Sequence, residues 1–112
     1  MKLRVFLWND DYDVMILWQN ALNKAGFEVV PSCDVNGDKV VEAYRKSATD
    51  IALLDVLHNS TENPIGIYVA QCIRKFDRLV PIIAVTTRPE HIYSHEDSKE
   101  ELDLMGIFED SI

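Results

Sequence analysis

The chain has 112 residues, room for one small domain, and its hydrophobic fraction of 47% suffices for a packed core. A formal net charge of −8 argues against general binding to nucleic acid or an anionic membrane surface, both of which need basic patches, and suits a chain that recruits cations or basic partners. No apolar stretch approaches the roughly 18 residues of a membrane span. Met1 to Arg4 runs straight into a strand-like segment with no sign of a signal peptide, and the two cysteines, Cys33 and Cys72, lack metal-like spacing and read as free thiols of a reducing cytoplasm.

Lys2 to Trp8 reads as a first strand, closed by the polar group Asn9-Asp10-Asp11. Val14, Leu17, Trp18, Ala21, Leu22 and Ala25 then fall on one face of an amphipathic helix. Asp11 or Asp13 can cap its start, and Gly26 can end it in a left-handed conformation. Phe27 to Pro31 is a short second strand. Val40, Val41, Tyr44 and Ala48 mark a second helix, opened by the polar run 34–38. Thr49 to Val56 is apolar between polar flanks, the pattern of a strand buried on both faces, and carries a lone carboxylate, Asp55, near its end.

His58 to Asn63 is a polar loop, and Asn63-Pro64 fits a cap followed by proline at the first helical position. Ile65, Val69, Cys72, Ile73 and Phe76 give the apolar face of a third helix. Pro81 to Thr86 is a fourth strand, its proline tolerated at the first position. Arg88 to Asp97 is polar and reads as loop. Ser98 to Glu101 fits a capping box opening a short helix, with Leu102 and Met105 inside and Gly106 beyond its end. Ile107 to Ile112 is a poor fifth strand, because Glu109 and Asp110 interrupt it. Strands alternating with helices predict an α/β fold with a parallel sheet covered on both faces.

In such a sheet, ligands sit at the carboxyl ends of the strands. Asp55 and the acidic group at 10–11 arrive together at that rim, and Thr86 adds a hydroxyl. Carboxylates gathered there repel one another unless a cation joins them or one keeps its proton. Oxygen ligands of this kind suit Mg²⁺. A carboxylate nucleophile, a hard cation and a hydroxyl donor are the parts needed to accept a phosphoryl group. The competing reading is that these acids only cap helices and solubilise the rim.

Four segments in order, Asn9 to Val14, Ala25 to Val29, Asp50 to Asp55 and Pro81 to Thr86, resemble the receiver domain of two-component response regulators, over roughly residues 3 to 87. The resemblance implies a flavodoxin-like, doubly wound parallel sheet of five strands in the order 2-1-3-4-5. It implies that Asp55 is the phosphoacceptor and Thr86 the switch hydroxyl. It also implies a Mg²⁺ site made of Asp10, Asp55, the backbone carbonyl of Leu57 and, through water, Asp11 or Asn9. Counting back from Ala25-Gly26 puts the family's acidic pair on Asn9 and Asp10, so that Asn9 stands where an acid is usual. The implied reaction is phosphoryl transfer from a histidine kinase or phosphotransfer protein to Asp55, followed by slow hydrolysis. Such a module is a signalling domain and not an enzyme, is cytoplasmic, and acts on a downstream output domain.

The chain departs from the family in several places. Leu57-His58-Asn59 replaces the usual pattern after the phosphoacceptor, and Gly66 comes eleven residues after Asp55, later than the family's glycine. The segment between Thr86 and Gly106 is longer than usual. Matching Met105-Gly106 to the family's turn puts the lysine that closes strand five just past Ile112, and the final helix is missing. Residues 1–112 then read as a single receiver-like domain, an N-terminal piece or a short variant. Arg88 is a candidate substitute for the lysine. The face left by the missing helix should be apolar and covered by a second copy or a partner.

The departures sustain a rival reading, a pseudo-receiver used for phosphorylation-independent protein contact. Other resemblances fit less well. Two residues separate Asp55 from His58, where cobalamin-binding domains have one, and Leu57 stands where haloacid-dehalogenase phosphatases need a second aspartate. His91 and His95, four apart beside Glu90 and Glu96, read as surface residues and not a zinc site.

Overall fold

The computed structural model describes residues 2–55, 65–86 and 106–109, Thr86 and the last four by their backbone. The elements are β1 (Arg4–Trp8), α1 (Tyr12–Lys24), β2 (Glu28–Ser32), α2 (Gly37–Ser47), β3 (Ile51–Asp55), α3 (Ile65–Phe76), β4 (Ile82–Thr86) and β5 (Gly106–Glu109). The strands form one sheet in the order β2-β1-β3-β4-β5, every neighbouring pair parallel. This is the flavodoxin-like order that the resemblance implies. The helix expected after Ser98, the cap at Asn63-Pro64 and the loop residues His58, Arg88, His91 and His95 lie outside the described residues.

Period-two alternation sorts the central strands onto two faces. Phe6, Trp8, Ala52, Leu54, Ile82 and Ala84 are buried together with Val40 and Tyr44 of α2 and Ile67, Val69, Ala70 and Ile73 of α3. Each wholly buried Leu or Ile here contributes about 1.5–3 kcal/mol. Phe6 meets the Tyr44 ring edge-on at 5.4 Å. The opposite face carries Val5 and Leu7, with Met15 of α1, all buried. Leu53, Ile83 and Val85, which share that face, are only half-buried, because α1 packs on β1 and β2.

The start of α1 is set by Asp11, whose carboxylate accepts from the N–H groups of Asp13 and Val14, and its end by Gly26 at φ 97°. Phe27 N–H donates to Leu22 O and Gly26 N–H to Asn23 O, the paired bonds of a glycine-terminated helix. The buried face of α1 is rotated from the one read off the sequence. Met15 is buried, whereas Leu17 and Ala21 are exposed. The sequence offers a hydrophobic stripe wider than one sheet can cover, and contact with β1 and β2 selects its Met15 side.

In α2, Asn36 is the cap, and Ala48 closes the helix in the left-handed region at φ 51°. The fifth strand begins at Gly106, the residue that the sequence reading puts at a turn. It runs in register from Ile83↔Gly106 to Thr86↔Glu109. Ile107 and Phe108 lie level with Ala84 and Val85.

Candidate functional site

The carboxyl ends of β1, β3 and β4 meet at one rim. Trp8 pairs with Leu54 and Asp55 with Val85, so Asn9, just past β1, stands level with Asp55, and Thr86 lies one residue beyond Val85. The ladder from β1 to β2 continues through Asn9, whose N–H donates to Ser32 O at 3.2 Å. Asp55 is 4% exposed. Its position follows from the sequence, since Leu54 anchors the strand end in the core and the next residue must emerge at the sheet's mouth.

The three polar residues after β1 have different environments. Asn9 is 1% exposed, and its Oδ1 accepts from the Asp11 N–H at 2.9 Å. Asp10 is half-buried, and its Oδ1 is enclosed without a hydrogen-bond partner among the described residues. Asp11 turns its Oδ1 to the start of α1, accepting at 3.0 Å from Asp13 and 3.3 Å from Val14. Sequence alone left open whether Asp11 or Asp13 is the cap. The structure gives that work to Asp11.

The enclosed carboxylate oxygen of Asp10, without a hydrogen-bond partner among the described residues, and the buried Asp55 at the same rim fit a hard cation, which would meet the deficit at Asp10. No group of three or more His, Cys, Asp or Glu side chains suited to a metal occurs among the described residues. Asp10 and Asp55 are the carboxylates that this rim offers besides Asp11, which caps α1, and one or two carboxylates are ordinary for Mg²⁺, which keeps several waters. Leu57, the expected carbonyl donor, lies outside the described residues. So does the side chain of Thr86, although its backbone ends β4 at this same rim. Glu109 lies level with Thr86.

Two features were missed by the sequence reading. Trp8, read only as the end of the first strand, is buried in the core and also donates its indole N–H to Asp34 O at 2.8 Å, tying the end of β1 to the loop before α2. Tyr68 of α3 hydrogen-bonds through its hydroxyl to the Asp38 carboxylate at the start of α2. That bond, followed by the neighbouring Cys72, pushes the phenol pKa upward. The Tyr68 ring closes on Gly37, where an added Cβ would stand 2.7 Å from it. A cleft of about 250 Å³ opens beside this contact, away from Asp55. Apart from the aromatic at 68, nothing in the sequence signals this contact, because it joins residues thirty apart.

No family model matches the sequence, and no curated protein matches it. Solved structures do. The response regulator TrrA of Thermotoga maritima, in complex with Mg²⁺ and beryllofluoride, superposes with a TM-score of 0.79 at 23% identity, covering 100% of this chain and 89% of that one. The chemotaxis protein CheY4 of Vibrio cholerae gives a TM-score of 0.80 at 18% identity, with the same coverage. TrrA in complex with the histidine kinase ThkA gives 0.76 at 22% identity, covering 99% and 87%. The chain has the CheY-like receiver fold.

Proposed function

We propose that this chain is a response-regulator receiver module that accepts a phosphoryl group on Asp55. The observation that carries the reading is the burial of Asp55 at the carboxyl end of the central strand β3, level with Asn9, whose chain neighbour Asp10 has an enclosed oxygen without a partner among the described residues, in a receiver fold. In the proposed transfer, an Asp55 carboxylate oxygen forms a bond to phosphorus as the phosphorus–nitrogen bond of a phosphohistidine breaks. The electron pair returns to the imidazole, which takes up a proton. Asp10 and Asp55 would hold Mg²⁺ with the Leu57 carbonyl, and the ion would neutralise charge that otherwise repels an anionic donor. Thr86 would bring its hydroxyl to the new phosphoryl oxygens.

The partner implied is a histidine kinase or phosphotransfer protein. The neighbour TrrA is known in complex with such a kinase. The module is a switch and not an enzyme, with self-dephosphorylation as its only turnover, and we place it in the cytoplasm. No helix among the described residues is long and apolar enough to cross a membrane. Leu53, Ile83 and Val85 lie on a half-covered apolar face of the sheet that a second copy or an output domain would cover.

The test is incubation with Mg²⁺ and a small phosphodonor, followed by intact mass. One added phosphoryl group is expected on the wild type and none on Asp55→Asn. An unchanged wild-type mass, under conditions that label an ordinary receiver, would falsify the reading. A second reading keeps the fold as a phosphorylation-independent contact module, and Asn9 favours it, since it removes an acid from the rim. Partner binding that is identical for wild type and Asp55→Asn, with and without phosphodonor, would select it.

A further inference from the structure

Asn9 brings a neutral amide to a rim of carboxylates. Its orientation is fixed. Oδ1 accepts from the Asp11 N–H, so the other end of the amide must be Nδ2. That nitrogen is enclosed and has no hydrogen-bond partner among the described residues. Leaving a buried donor unsatisfied is costly, and nothing in the local fold requires it. An aspartate or serine could also accept from Asp11, and the cap of α1 belongs to Asp11 itself.

The placement of Asn9 supplies a reason. Level residues on neighbouring parallel strands share a face and lie about 4.8 Å apart. Asn9 stands level with Asp55, one step past the Trp8↔Leu54 pair. Beside it in the chain, Asp10 Oδ1 is an enclosed acceptor lacking a partner among the described residues. A donor without a described partner thus stands level with Asp55, and an acceptor without one follows that donor in the chain. A ligand that satisfies both presents a negatively charged oxygen to Asn9 and a positive charge to Asp10.

We infer that Asn9 is an oxyanion donor, whose Nδ2–H group hydrogen-bonds to an oxygen of the phosphoryl group carried by Asp55. This rests on the phosphoacceptor reading. It also assigns a consequence to the missing acid: the site gives up affinity for the bare cation and gains affinity for the cation–oxyanion pair. Cation and oxyanion then bind this chain cooperatively, and Mg²⁺ alone binds weakly.

The test uses the full chain as wild type, Asn9→Asp and Asn9→Ala. Mg²⁺ is titrated alone, and beryllofluoride is then titrated at saturating Mg²⁺. Both titrations are read by tryptophan fluorescence, since Trp8 adjoins Asn9, and by calorimetry. Asn9→Asp should bind Mg²⁺ about tenfold more tightly, through its added carboxylate. Both variants should bind beryllofluoride about tenfold more weakly than wild type, the worth of one hydrogen bond to a charged group. Asn9→Asp keeps the acceptor for the Asp11 N–H, so it decides the matter even if Asn9→Ala does not fold. Wild-type beryllofluoride affinity in Asn9→Asp would overturn the role of Asn9 while leaving the phosphoacceptor reading intact. A wild type that binds no beryllofluoride would overturn both.

Discussion

Asp10 and Asp11 are adjacent in the chain and do different work. Asp11 holds the first turn of α1, so Asp11→Ala should cost about 1 kcal/mol of stability and leave Mg²⁺ binding nearly unchanged. Asp10 has an enclosed oxygen with no such duty. Asp10→Asn should leave stability the same or slightly higher, because a buried charge is removed, and should weaken Mg²⁺ binding at least about tenfold. Denaturant melts and Mg²⁺ titrations of the two variants separate these roles, and a reversal of the pattern would exchange the assignments. From sequence the three polar residues after Trp8 could be placed at the rim but not told apart, because capping and metal binding both ask for a short carboxylate. Asp55 was legible outright, since an apolar strand with one terminal acid leaves little choice about where that acid emerges.

At the scale of elements, most of the fold was written in periodicity. The described strands and helices match the sequence reading to within a few residues at their ends, and the capping residues at 11, 26 and 36 follow ordinary turn chemistry. What the sequence could not give was the rotation of α1, because Leu17 and Ala21 are as apolar as the residues that are in fact covered. It also could not give the start of β5, where a glycine that ends a helix and one that opens a strand look alike. Ala48 ends α2 in a conformation that strains a side chain. Ala48 is exposed, so Ala48→Gly should relieve that strain and stabilise the protein by about 0.5–1 kcal/mol. A lowered melting temperature for this variant would contradict the assignment of the left-handed cap.

For the molecule as a whole, the core beneath α2 and α3 couples stability to pH at the alkaline end. Burial of Tyr44, followed by the nearby Asp77 charge, raises its phenol from 10.0 to about 12. The folded state therefore holds this proton over a range in which the unfolded chain has lost it. The resulting stability is complete below pH 10.0, declines as pH rises, and is gone above about 12. Tyr44→Phe keeps the ring contacts with Phe6 and Phe76 and should flatten that decline, as measured by denaturant melts across the range. An unchanged slope would mean that Tyr44 titrates normally. The half-covered face beside α1 predicts self-association or capture by an output domain, and Ile83→Thr should reduce it in analytical ultracentrifugation.

The claim on which the rest depends is that Asp55 is the residue that carries phosphorus. After incubation with phosphodonor and Mg²⁺, borohydride reduction converts an aspartyl phosphate to homoserine, and peptide mapping then reads the position of the change. The account predicts homoserine at position 55 and at no other aspartate. A reduced residue elsewhere, with Asp55 unaltered, would contradict it.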